Sequence, residues 1–71
     1  MPARTLAERI KQARIDSGLT QKQLAEAAGI GQGHLSEIES GDKRPSLQTL
    51  KRLRSALGLT ESAWTTWIDA A

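Results

Sequence analysis

The chain has 71 residues and a formal net charge of +2, below the ~100–200 residues of a typical domain, which excludes a two-domain enzyme. Apolar residues make up 38%, with no Phe or Tyr, so the core must come from Leu, Ile, Ala and two Trp in a chain expected to bury only ~60% of its unfolded surface. The absence of Cys excludes a disulfide framework and a thiolate metal site, and one His cannot make a zinc cage, so no metal and no cofactor is expected.

Helix signals recur about every dozen residues, each a cap followed by apolar residues at three-to-four spacing and closed by glycine. Thr5 and Glu8 have capping-box spacing and open a first helix that carries Leu6, Ile10 and Ala13 inward before Gly18. Thr20 and Gln23 repeat the device for a short second helix through Leu24, Ala25 and Ala28, and Gly29 suits a left-handed cap. A third helix starts at Gly31, places Leu35 and Ile38 on one face and stops at Ser40-Gly41.

Residues 42–46 read as a loop, because Pro45 pushes Arg44 out of helical geometry and Ser46 can cap the next helix. Leu47, Leu50, Leu53 and Leu57 make the stripe of a fourth helix ending at Gly58. Ala63, Trp64, Trp67, Ile68 and Ala71 share a face of a fifth that begins at Thr60. No segment alternates with period two, so the expected class is all-α: a compact five-helix bundle forming one domain over residues 1–71.

Charge is unevenly placed. Residues 1–16 carry +2, 17–41 carry −2, 42–54 carry +4 and 55–71 carry −2. Two basic blocks of this kind can hold phosphate, against the alternative of a solvated helix face. No apolar run approaches the ~18–20 residues of a membrane span, and the N-terminal stretch lacks the uncharged run of a secretory signal. A soluble, unprocessed cytoplasmic protein with no membrane contact is therefore expected.

Two short helices joined by Ala28-Gly29-Ile30-Gly31 look like a helix-turn-helix, in which the second helix enters the major groove. The turn needs a residue tolerant of positive φ followed by an apolar residue that pins both helices to the core, and Gly29 and Ile30 meet that need. The longer run Leu19-Thr20-Gln21 through Gly29-Ile30, with Ile38-Glu39, Gly41, Arg44-Pro45-Ser46 and Leu57-Gly58-Leu59 in register, resembles the phage-repressor (Cro/Xre-type) helix-turn-helix family over roughly residues 4–60. That resemblance implies a lambda-repressor-like bundle in which helices 2 and 3 form the motif and helix 3 reads DNA, usually as a homodimer on a near-palindromic operator.

Carried over residue by residue, the resemblance implies that the Gln21 amide holds a phosphate beside the start of the second helix. Gln32 matches a base-reading position, where its amide suits adenine N6 and N7. Gly33 departs from the family, which more often has a polar side chain there; a weak helix start and a close approach to a base or thymine methyl are both open. Ser36 and Glu37 complete the base-reading set, Glu37 as an acid able to accept from cytosine N4, with surface pairing to a nearby Lys or Arg as its alternative. His34, Lys43 and Arg44 fall at phosphate positions, and Arg14 with Glu39 matches the family's internal ion pair. Trp67 and Ile68, an apolar edge in so small a chain, read as a dimer interface.

The function expected from these features is a sequence-specific DNA-binding transcriptional regulator, most simply a repressor acting by occupancy or by touching RNA polymerase. An antitoxin binding both DNA and a toxin, and a protein-interaction module on the same fold, are the alternatives. An enzyme is not expected, for want of Cys, of a Ser-His-Asp arrangement and of a Gly-rich phosphate loop.

Overall fold

In the computed structural model, residues 5–59 are described. They form four helices: α1 (Leu6–Asp16), α2 (Gln21–Ala28), α3 (Gln32–Ser40) and α4 (Leu47–Leu57). Among the described residues there is no strand, and no helix is long and apolar enough to cross a membrane. The proposed fifth helix, with Trp64, Trp67 and Ile68, lies outside the described residues.

Local chemistry sets the helix ends. Thr5 accepts from the Glu8 N–H, and Ser46 accepts from the Thr49 N–H. At α2 the capping box is complete: Thr20 Oγ accepts from Gln23 N at 3.1 Å, while the Gln23 carboxamide oxygen accepts from Thr20 N at 2.9 Å, so two otherwise orphaned donors are satisfied. The expected Thr5–Glu8 box is only half made, since the return bond from Glu8 is absent among the described residues. Helix α3 has Gly31 as its N-cap and no side-chain cap bond.

One core holds the four helices together. Ile10 of α1, Leu24, Ala25 and Ala28 of α2, Leu35 and Ile38 of α3, and Leu50 and Leu53 of α4 are all buried, with Leu6, Leu19, Ile30, Ala56, Leu57 and Leu59 packed around them. Helix α2 packs on α3 and α4, and α1 packs on the same two. Leu47 departs from the expected stripe: it is 61% exposed, because as the first residue of α4 it falls ahead of the stretch where Leu50 and Leu53 meet the core. Ala13, expected to be inward, is half-buried.

The α2–α3 corner turns on Gly29, the C-cap of α2, at φ 71° and ψ 32°. A side chain there would clash with its own backbone, a cost of about 1–2 kcal/mol in the left-handed region. Space is not the constraint, since among the described residues a Cβ would meet only Arg52 Nη1 at 3.7 Å. The Ile30 N–H returns to the Ala25 carbonyl at 2.9 Å, closing α2, and the half-buried Ile30 side chain joins the core. The turn thereby fixes the direction in which α3 leaves α2.

Candidate nucleic-acid interface

Helix α3 divides into two faces. Leu35, Ile38 and Glu39 are buried, whereas Gln32, Gly33 and Ser36 are exposed and Glu37 is half-buried. Gln32 and Ser36, and likewise Gly33 and Glu37, are four residues apart, so these positions form two adjacent rows of one outward stripe. All four residues expected to read bases therefore share a face. His34 lies beside them, half-buried.

Gly33 occupies the second position of α3, and a Cβ built there meets nothing within 4 Å among the described residues. Its backbone is helical, so glycine is not required by conformation. Gly33→Ala is expected to raise folding stability by about 0.5–1 kcal/mol, read by denaturant titration; a loss of stability would contradict this helical placement.

The basic loop after α3 is tied to that helix. The Glu37 carbonyl accepts from Asp42 N at 3.0 Å and Lys43 N at 3.2 Å, and the Ser40 hydroxyl donates to it at 3.0 Å. Gly41 caps α3 at φ 87°. Lys43 and Arg44 are exposed, and Pro45 beside them is buried and anchors the loop. The Lys43 ammonium lies 3.4 Å from the Glu37 carboxylate, with both side chains substantially exposed. From sequence, Lys43 reads as a phosphate contact and Glu37 as a base reader with surface pairing as its alternative; the structure brings the two together. An exposed pair of this sort adds little stability and leaves both groups within reach of a ligand.

Behind the exposed face lies a buried polar cluster. Arg14 Nε donates to Glu39 Oε2 at 2.8 Å and Arg14 Nη2 to Oε1 at 3.1 Å, a two-point geometry that suits guanidinium and carboxylate. Arg14 Nη1 also donates to the Leu19 carbonyl at 2.9 Å, and the Gln21 amide donates to Glu39 Oε1 at 3.2 Å. The Arg14–Glu39 pair was expected from resemblance. The Gln21 bond was not, and no signal in the sequence links residues 18 positions apart in this way. Gln21 itself, expected at a phosphate, is half-buried at the start of α2.

A family model described as helix-turn-helix matches residues 10–64, well over half of the chain. The chain belongs to the Cro/Xre-type helix-turn-helix family. Within that family it is 44% identical over 59 residues to the immunity repressor protein of Bacillus phage phi105, covering 83% of this chain and 41% of the phage protein. It is also 44% identical over 55 residues to the HTH-type transcriptional regulator DdrOP3 of Deinococcus deserti, covering 78% of this chain and 43% of the relative. The chain thus spans about four-tenths of the length of these two relatives. Among solved structures it is similar to SinR, a Bacillus subtilis protein, in complex with DNA: TM-score 0.78 and 32% identity, covering 86% of this chain and 98% of that one. The matched residues include α2, the Gly29 turn and α3.

Proposed function

We propose that the chain is a sequence-specific DNA-binding transcriptional regulator, a repressor that places α3 in the major groove of a near-palindromic operator as a homodimer. The observation that carries this reading is the outward stripe Gln32, Gly33, Ser36 and Glu37 on the second helix of a helix-turn-helix, in a chain similar to SinR, which was solved with DNA. Gln32 reads adenine through its amide and Glu37 accepts from cytosine N4, while Gln21, His34, Lys43 and Arg44 contact phosphate. Trp67 and Ile68 serve self-association, which would set two recognition helices ~34–36 Å apart. Binding of this kind acts by occupancy in the cytoplasm and needs no catalytic group.

Selection of bound duplexes from a random library tests the reading, with wild type and Gln32→Ala run side by side at one salt concentration. Paired half-sites one helical turn apart, with preference relaxed at one base per half-site for the variant, are expected. Binding without enrichment, fading as salt rises, would overturn it and favour a protein-interaction role.

A further inference from the structure

We infer that the buried Arg14–Glu39 pair is a positioning device for Gln21, holding its amide ready for a DNA phosphate, and is more than an internal brace. The inference rests on the phosphate role proposed above for Gln21. Glu39 belongs to α3 and has a side chain only 2% exposed, and Arg14 of α1 is 13% exposed. Arg14 occupies both carboxylate oxygens, which fixes the plane of the Glu39 carboxylate from one side. On Oε1 it leaves room for a second donor, and the Gln21 amide fills that place at 3.2 Å.

The charge on Glu39 decides which end of the Gln21 carboxamide turns inward. The amide oxygen would be repelled by the carboxylate, so the nitrogen must face it, and only the nitrogen carries donors. One of its two N–H bonds is used on Glu39. The other is left for an acceptor, and the bond to Glu39 is the only one the Gln21 side chain makes among the described residues. A phosphate oxygen is an acceptor only, so this is the polarity a phosphate contact requires.

The same cluster holds the backbone from which Gln21 projects. Arg14 Nη1 bonds the Leu19 carbonyl two residues upstream, and the Thr20–Gln23 capping box locks the intervening residue. Three helices thus converge on one amide: α1 through Arg14, α3 through Glu39 and α2 through its own first residue. A glutamine free in solvent must surrender rotamer freedom on binding, and one already held loses less. The consequence is that Glu39, which touches no DNA in this account, contributes to affinity through Gln21.

A double-mutant cycle on DNA affinity tests this. Its corners are wild type, Gln21→Ala, Arg14→Met/Glu39→Leu and all three changes together, measured on one duplex two helical turns long at fixed salt and at a temperature where all are folded. Gln21→Ala is expected to weaken binding about tenfold in the wild-type background, as a hydrogen bond to a charged group does, and less than about twofold once the pair is gone. Equal losses in both backgrounds would leave the phosphate contact standing and overturn the positioning role. No loss in either background would overturn both. Hydrogen exchange of the side-chain amides in the free wild type supplies a readout that needs no variant: one Gln21 proton should exchange several-fold more slowly than those of exposed Gln32. Matching rates at Gln21 and Gln32 would contradict the inference.

Discussion

Glu39→Ala is expected to cost about 3–5 kcal/mol of folding stability, whereas Arg14→Met/Glu39→Leu costs far less. The asymmetry comes from the groups each change leaves behind. Removing Glu39 strands the Arg14 guanidinium, 13% exposed, with the Leu19 carbonyl as its one remaining partner among the described residues. It also removes the acceptor that holds Gln21. Replacing both members with apolar side chains of similar volume removes the pair and its desolvation cost together. A chain of 71 residues has a total stability of only several kcal/mol, at roughly 0.05–0.15 kcal/mol per residue, so the single change takes away most of the margin. Denaturant titration of the two variants beside wild type reads both quantities; small and equal losses would show that the pair is not an internal brace.

Leu35→Ala is the second large effect, expected at about 2–5 kcal/mol with a fall in Tm of about 10 °C or more. Leu35 is fully buried, and with Ile38 it supplies the apolar grip that α3 has on the core. Its neighbour Ser36 is exposed, so the substitution leaves the outward stripe chemically untouched. Stability and recognition should therefore separate. Leu35→Ala lowers stability while DNA affinity per folded molecule stays near wild type, and Gln32→Ala does the reverse. Thermal unfolding combined with binding measured well below the lowered Tm checks this. Loss of affinity in fully folded Leu35→Ala would mean that the stripe is distorted by the cavity beneath it.

Helix ends were the most legible part of the fold, because their determinants are local. Thr20 with Gln23, Ser46 before Leu47, and Gly29 after Ala28 each act within a few residues, and each reads from sequence as it stands in the structure. The stripe on α3 was equally readable, since helical periodicity turns Gly33, Ser36 and Glu37 away from Leu35 and Ile38, with Gln32 at the edge of that face, once the start at Gly31 is known. Leu47 shows where periodicity stops: a leucine in phase with the buried stripe is still exposed when its turn lies ahead of the packed segment.

Side-chain partnerships across helices were harder to read. Arg14 and Glu39, 25 residues apart, could be paired only through resemblance, since nothing in either segment points to the other. The approach of Lys43 to Glu37 follows from the Gly41 turn that folds the loop back onto α3, whereas the Gln21 bond to Glu39 depends on the angle at which α3 leaves the Gly29 turn. That angle belongs to the assembled bundle and not to any one stretch of chain.

DNA is expected to meet the chain on the face made by the starts of α2 and α3 and the loop after α3. Backbone amide shifts during titration of the isotope-labelled protein with a duplex test it most directly. The largest changes are expected at Gln21, Gln32, Gly33, Ser36, Glu37, Lys43 and Arg44, with little change along the outer side of α1 at Glu8, Lys11, Gln12 and Ile15. Changes centred on that side of α1, with the α3 stripe unmoved, would contradict this placement of the DNA.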